Sequence, residues 1–329
     1  MTATIYDVAE RAGVSISTVS LALNAPRRVK PETLERVLTA IDELKFVPKT
    51  EAVARARRGV GRIGVIAPFT TYPSFARRLN GVLHATRGKS CEVVVHDQES
   101  AATSTLASLP LTQRLDGLIV MSIPFGDDVA ERLAEQHVTT VLVELERAGF
   151  SSITIDDITG GRMAAKHLLA RGHRRFAFLG EQQRQAHDHV LQSDARLNGF
   201  RQELVAAGID LPETRVRRVA HTTPAASAAA EDLLTLAEPP TAVFAHDDIL
   251  AAAVIRTARK HGLAVPGDLA VIGFDDSDIA EHLGLTSIRQ PLEESGQVAA
   301  ETLLGELSNP NRSLQHVTLR LTLVERETA

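Results

Sequence analysis

Apolar and polar positions follow two different periods along the 329 residues of this chain. Up to Leu44 the apolar side chains recur at helical spacing. Ile5, Val8, Ala9 and Ala12 form one face of a first helix, and Gly13 stands where a left-handed residue ends it. Thr4 is placed to cap that helix, with Asp7 placed to answer back. Ser15 is placed to cap a second short helix, Ile16 to Leu23, which Asn24-Ala25-Pro26 breaks. Pro31 opens a third, in which Leu34, Val37, Leu38, Ile41 and Leu44 share a face. The three predict one small all-α unit, ended by Pro48.

From Arg62 onward short apolar runs alternate with helical patterns. Strands are predicted at Ile63–Ala67, Glu92–His96, Gly117–Met121, Thr140–Val143, Ser152–Ile155, Arg175–Leu179, Ala242–Ala245 and Ala270–Gly273. Helical patterns lie between them at Gly161–Arg171, Ala195–Ala207, Ser227–Leu236 and Ile249–His261. Such alternation means a parallel sheet covered on both faces. The βα units are too many for one compact sheet, so two lobes are expected, with a ligand cleft between the carboxyl ends of their strands. Val317, Leu319, Leu321 and Leu323 alternate with polar residues and predict a closing strand with one polar face. Lys49 to Gly61, small, polar and basic, reads as a linker that could become a helix.

Composition sharpens this picture at three points. The net charge of -5 is unevenly spread: residues 1–62 carry 11 Lys+Arg against 7 Asp+Glu, leaving 25 basic and 34 acidic residues for the remainder. A basic head on an acidic body suits a polyanionic partner. No stretch approaches the roughly 20 apolar residues of a membrane span, and Met1 to Asp7 lack a secretory pattern, so a cytoplasmic protein is expected. The single cysteine, Cys91, permits no internal disulfide and no cysteine zinc site, and reads as a small buried hydrophobe.

The head has the parts of a helix-turn-helix: a supporting helix, a turn at Gly13, and a second helix whose first residues reach base edges. Ala9 is small where the helices cross, and Val14 and Val19 fill the seam. Ser15, Ser17, Thr18 and Ser20 offer hydroxyls to phosphates and bases.

The run Thr4-Ile5-Tyr6-Asp7-Val8-Ala9 through Thr18-Val19-Ser20, with Leu23-Asn24, Val29, Pro31-Glu32-Thr33, Arg36-Val37 and Phe46-Val47-Pro48, resembles the head of the lactose-repressor/galactose-repressor family. Further segments carry the resemblance over almost the whole chain: Asp156-Asp157 with Gly160, Gly172 to Leu179, Arg196-Leu197-Asn198-Gly199-Phe200, and Gly273-Phe274-Asp275-Asp276. It implies a homodimeric transcription regulator, most often a repressor, that binds palindromic operator DNA and responds to a small-molecule effector, a sugar or related metabolite. The implied architecture is a small all-α helix-turn-helix head plus an α/β body of two doubly wound parallel-sheet lobes, like periplasmic binding proteins. Ile288-Arg289-Gln290-Pro291 marks a return of the chain to the first lobe. The expected organisation is a head at 1–47, a hinge at 48–61 and an effector and dimerisation body at 62–329. Within the body, lobe one spans about 62–158 and 291–318, and lobe two about 159–290 and 319–329.

On the DNA side the resemblance assigns base reading to Ile16, Ser17 and Leu21, within a set that also holds Thr4, Ser15, Thr18, Ser20, Asn24 and the hinge residue Arg55. Leu21 stands where many relatives carry arginine. It packs on a thymine methyl instead of clamping guanine, so an operator unlike the usual family site is expected. Lys30 replaces a frequent serine cap before the third helix. Arg55 stands where relatives push a leucine into the minor groove, so a strong central kink is not expected. Arg55, Arg57 and Arg58 either enter a narrow minor groove or touch phosphates alone.

On the effector side the candidates are Phe69, Tyr72, Phe75, Glu144, Arg196, His246, Asp247 and Asp275. Arg196 matches the family arginine, whose fork clamps paired hydroxyls or a carboxylate; its other reading, shared with Asp275, is a lobe-stabilising ion pair. Asp275 follows a strand end, where a carboxylate accepts from sugar hydroxyls. His246-Asp247 departs from the Asn-Asp of relatives. Phe69, Tyr72 and Phe75 either stack on a ring or pack at the lobe surface. Glu144 stands near a position where some relatives use aspartate.

No cofactor, metal or enzymatic activity is expected. Gly59-Val60-Gly61-Arg62-Ile63-Gly64 spells GxGxxG but precedes its strand instead of following one, and Gly88-Lys89-Ser90 lacks the earlier glycine of a phosphate loop, the position being Leu83. His187-Asp188-His189 shows no third metal ligand, and no GxSxG is present. Two other classes remain as alternatives. A solute-binding protein without regulatory DNA binding would share the body but not the head. A sugar- or nucleotide-processing enzyme would need an acid/base or nucleophile constellation that the chain does not show.

Overall fold

The computed structural model describes residues 3–24, 28–44, 46, 61–68, 72–97, 115–136, 138–182 and 192–329. Arg55, Phe69 and the His187-Asp188-His189 cluster lie outside these, and of Asn24 only the backbone is described.

The head is three helices, α1 (Ile5–Ala12), α2 (Ile16–Asn24) and α3 (Pro31–Glu43). Thr4 and Asp7 close a reciprocal capping box at the start of α1. Gly13 ends the helix at φ 62°, and the amide of Val14 returns to the Ala9 carbonyl, so the chain turns within two residues. Ser15 Oγ accepts from the Thr18 amide at 3.1 Å and caps α2. Lys30 gives α3 no side-chain cap, as its residue type requires, and Pro31 supplies the start. Val8, Ala9, Ala12, Val19, Ala22, Val37, Ala40, Ile41 and Phe46 form the core. Small residues at positions 9, 12, 22 and 40 let the helix axes come close, and the larger ones fill the seam. Thr4→Ala should destabilise the head by about 1 kcal/mol. Urea denaturation of the full-length protein, followed at the head's own transition, checks this.

The described chain divides into two compact units, Met1–Thr154 with Glu293–Val317 and Ile155–Leu292 with Thr318–Ala329. The strands of the first are β1 (Gly61–Ala67), β2 (Cys91–Asp97), β3 (Gly117–Met121), β4 (Thr139–Val143), β5 (Ser151–Ile155) and β11 (His316–Leu319), in sheet order β11-β5-β4-β3-β1-β2. The second holds β6 (Phe176–Glu181), β7 (Val216–Val219), β8 (Ala242–Ala245), β9 (Ala270–Asp275), β10 (Thr286–Arg289) and β12 (Thr322–Val324), in order β12-β10-β9-β8-β6-β7. Each sheet therefore reverses direction beside its first strand, β1 or β6, as doubly wound sheets do. Pairing is parallel from β2 through β1, β3 and β4 to β5, and from β7 through β6, β8 and β9 to β10.

Four expectations change. The single closing strand is two: β11 joins the first sheet, whereas β12 runs antiparallel to β10 in the second. Alternation marked the buried face correctly, with Val317, Leu319, Leu321 and Leu323 half-buried, but alternation carries no information about which sheet a segment joins. β7 (Val-Arg-Arg-Val) and β10 (Thr-Ser-Ile-Arg) were not expected, because neither contains an apolar run. Cys91 is half-buried, since β2 is an edge strand.

Helices cover the sheets: α4 (Pro73–Thr86), α5 (Asp127–Glu135) and α11 (Leu292–Ser308) in the first unit, and α6 (Asp157–Ala170), α7 (Gln192–Ala206), α8 (Thr223–Leu234), α9 (Asp248–Lys260) and α10 (Asp278–Leu283) in the second. In each unit one helix pair crosses at backbone contact. A Cβ on Gly161 of α6 would lie 2.0 Å from the Arg196 carbonyl oxygen of α7, and one on Gly199 would lie 1.9 Å from that of Ile158. Gly81 of α4 and Gly296 of α11 repeat the arrangement, at 1.9 Å from the carbonyls of Glu293 and Arg78. The aromatic core of the second unit runs Phe176–Phe200–Phe244–Phe274, with Phe178 set edge-on to Phe244 at 5.4 Å.

Candidate functional site

On the head, the residues after the Gly13 turn form the reaching edge. Ser17 is exposed and Ile16 is 41% exposed, while Val19, one turn inward, is fully buried. The hydroxyls of Ser15 and Thr18 lie 2.8 Å apart and serve the cap of α2, and that of Thr4 serves α1. Leu21, Thr18 and Ser20 are half-buried. The structure thus places Ile16 and Ser17 outward and gives Thr4 and Ser15 capping work. Tyr6, 68% exposed, is a further candidate; the period-based reading passed over it because it lies off the apolar face of α1.

In the first unit, Tyr72 precedes α4 and Phe75 lies in its first turn, with ring centroids 6.4 Å apart. The guanidinium of Arg78 lies 5.8 Å from the Phe75 ring. One of its terminal nitrogens lies 3.1 Å from the carboxylate of Glu144, which follows β4 in a left-handed conformation (φ 59°). Both side chains are about 95% buried, at 5% and 4% exposed. The structure links Phe75 and Glu144 through an arginine the sequence reading did not name, with Tyr72 beside Phe75. An arginine on the buried face of α4, between Phe75 and Val82, was the available signal.

In the second unit the candidates gather at the carboxyl edge of the sheet. Adjacent strands β7, β6, β8, β9 and β10 lead into His221, Glu181, His246-Asp247, Asp275-Asp276 and Gln290 respectively. Arg196, 4% exposed, projects from α7. Its Nε donates to Asp157 at 2.7 Å, one terminal nitrogen donates to the His246 carbonyl at 2.7 Å, and its plane lies 3.6 Å over the Phe274 ring. Asp247 caps α9 through the Leu250 amide and pairs with His221 Nε2. Burial disfavours the charge of His221, but the hydrogen bond and charge of Asp247, helped by Glu181 and Asp275, outweigh it and raise its pKa. His246 goes the other way: burial, reinforced by the Arg196 charge, lowers its pKa to about 3, so the ring is neutral. Its Nε2 lies 3.7 Å from Glu181, and its buried Nδ1 meets no hydrogen-bond partner among the described residues. Asp275 accepts from Gln290 Nε2 at 2.5 Å, and Asp276 is held by Arg289 and Arg326, each at 2.6 Å. Sequence reading missed Glu181, His221, Asp157 and Gln290, whose roles appear only when distant strand ends meet.

A helix-turn-helix head joined to two doubly wound units with polar strand ends defines a ligand-responsive DNA-binding protein. The profile described as "Bacterial regulatory proteins, lacI family" matches residues 4–49, and that of a "Periplasmic binding protein-like domain" matches residues 165–329. The repressor named PurR from Erwinia tasmaniensis is 32% identical over 98% of this chain and 96% of its own. Two solved structures are similar throughout. The "transcriptional regulator CelR-cellobiose complex" has TM-score 0.73 and 31% identity, covering 99% of this chain and 100% of that one. The lac repressor dimer "bound to operator and the anti-inducer ONPF" has TM-score 0.71 and 27% identity, covering 100% and 99%. The chain belongs to the lacI family of bacterial regulatory proteins and is a sequence-specific DNA-binding transcription regulator. No helix among the described residues is long and apolar enough to cross a membrane.

Proposed function

We infer that this regulator is a cytoplasmic repressor, not an enzyme, that binds a palindromic operator as a homodimer and loses or gains that affinity on binding a sugar or related metabolite. One observation carries the DNA side: Ile16 and Ser17 stand exposed at the start of α2, directly after a Gly13 turn and above a packed core. A single α2 reads one half-site, so a symmetric dimer and a palindrome follow. In this reading Ser17, Ile16 and Leu21 face bases, Thr18, Ser20, Asn24, Thr4 and Ser15 lie toward phosphates, and Arg55 follows the minor groove.

On the effector side, Asp275, His246 and Asp247 at the strand ends of the second unit receive the ligand, and Arg196 sets their geometry from behind. Tyr72, Phe75 and Glu144 are the first unit's candidates for effector contact, and Phe69 joins them from the sequence alone. The bound sugars named for relatives, cellobiose and ribose, suit carboxylates and imidazoles that accept hydrogen bonds from hydroxyls. A coupling free energy of about 1–3 kcal/mol suffices for regulation.

Selection of random duplex DNA by the purified full-length protein, with sequencing of the bound pool, tests this reading. An enriched palindrome is expected, with affinity falling steeply in added salt. Ser17→Ala should change base preference at one or two positions and leave the salt slope unchanged. A pool with no enriched sequence, at low salt and with candidate sugars present, would overturn the regulator reading.

A further inference from the structure

The last turn of α3 carries two carboxylates, Asp42 and Glu43, and no basic residue. A carboxylate at that end faces the negative pole of its own helix and is disfavoured there. Within the head, Arg11 of α1 answers Glu43 at 2.5 Å. Asp42 is answered from outside the head: a terminal nitrogen of Arg132, in the last turn of α5, lies 2.7 Å from its carboxylate. The head and α5 belong to the same compact unit. This ion pair therefore joins the DNA-reading helices to a helix that covers the first sheet, independently of residues 49–60, which connect the two in sequence.

Arg132 is held ready for this contact. Its side chain is 14% exposed, whereas Glu131 and Glu135 on the same helix are exposed. Its Nε donates to the Asp128 carbonyl at 3.2 Å and a second terminal nitrogen lies 3.4 Å from the Asp128 carboxylate, so its own helix orients the fork. Buried Val129 and Leu133 seat α5 on the core of the unit. The start of α5 is tied to the loop after β4: Arg147 donates to the Phe125 carbonyl at 2.8 Å, pairs with Asp127 and lies 5.4 Å from the Phe125 ring. Glu144, an effector candidate, opens that loop. The head, α5 and the Glu144 loop thus form one connected series of contacts. Burial raises the pKa of Asp42 and the Arg132 charge opposes that rise, so the pair gives the head direction more than stability. The reading edge stays free, with Ile16 and Ser17 of α2 exposed while the pair is closed.

We propose that Arg132 is a positioning residue for DNA binding: from α5 it latches the head through Asp42 and fixes the direction of α2 before DNA arrives. A head free to rotate loses that freedom on binding; a latched head has lost it already and binds more tightly. The inference rests on the head reading operator DNA as a dimer. Simple charge predicts the opposite sign for Asp42, because an acidic residue on a DNA-binding head repels phosphates and its removal tightens binding. One substitution therefore separates the two accounts.

Affinity for the selected palindrome, measured with the full-length protein in Asp42→Asn, Arg132→Gln and the double variant, is the test. A partly exposed ion pair accounts for about threefold per head. Each single variant of a dimer should therefore bind about tenfold more weakly, and the double variant no more weakly than either. Unchanged or tighter binding by Asp42→Asn, or losses that multiply in the double variant, overturns the positioning role. The contact itself is read without DNA. In Arg132→Lys, a water-soluble carbodiimide should couple the new amine to the Asp42 carboxylate and give a linked peptide pair by mass spectrometry; adding Asp42→Asn should remove it. Coupling to Asp128, one turn away, shows that the reagent has reached the amine. Coupling to Asp128 without the Asp42 pair overturns the latch. A linked pair in a protein that selects no palindrome keeps the contact but removes the regulator reading and the role built on it.

Discussion

Arg196→Ala is expected to destabilise the second unit by about 3–5 kcal/mol, the cost of removing one partner from a buried ion pair. Asp157, whose side chain is 11% exposed, would keep its charge and lose the Nε donor at 2.7 Å. Phe274 would lose the guanidinium that covers its ring, and the His246 carbonyl would lose a donor. His246 and Asp275 flank these contacts in sequence, so the effector response should vanish with the stability. Arg196→Lys should not rescue it, because a lysine lacks the planar fork that meets Asp157 and His246 while lying on Phe274. Asp157→Asn introduced into the alanine variant should return part of the loss by removing the stranded charge. Urea denaturation of the three variants measures this. A loss below about 1 kcal/mol in Arg196→Ala would show that the pair carries little of the unit's stability.

Gly161→Val is expected to be at least as damaging, at or above about 3 kcal/mol, the upper range for overpacking. The added Cβ would stand 2.0 Å from the Arg196 carbonyl oxygen and 2.8 Å from the Phe200 amide nitrogen. Both are backbone atoms of α7, so no rotamer change relieves the clash; the helices must separate. Separation would also carry Arg196 away from Asp157, so this substitution should reproduce the effector defect without touching a polar group. Gly267→Ala, whose Cβ would meet only that of Ala264 at 3.4 Å, is the matched control and should change little. Thermal melts of both variants check the pair. Equal melting temperatures would refute the close crossing.

Much of this architecture is legible in the sequence. Caps and breakers placed α1, α2 and α3 to within a residue, because Thr4, Gly13, Ser15 and Pro31 act locally and the pattern records local physics. β1, β3, β4, β8 and β9 were legible because strands buried on both faces must be apolar throughout. β7 and β10 were not, since their arginines and short polar side chains are accommodated by neighbours distant in sequence. The site divides the same way. Asp275 and His246-Asp247 could be picked out as polar residues at strand ends. Asp157 as the partner of Arg196 and His221 as the partner of Asp247 could not, because each depends on a contact between segments tens of residues apart. Arg196 was singled out through a resemblance, and its ion pair was one of two readings; the structure shows the pair formed and buried.

The division of the chain into units also bears on the order in which they are built during synthesis. The first unit is interrupted by the whole of residues 155–292 and is completed by Glu293–Val317. α11 supplies Gly296, against which the Arg78 carbonyl of α4 packs, and Leu303, which covers Gly117 of β3. On a ribosome adding roughly 5–20 residues per second, all of 155–292 emerges before that helix does. The usual order, in which the amino-terminal domain folds first, is therefore inverted for the body. The second sheet, lacking only β12, is available to form while the first still waits for its last helix and edge strand. During that wait the apolar face that α11 will cover is open to solvent. Nascent chains of this regulator should therefore need chaperone protection most in their first half, although that half is synthesised first.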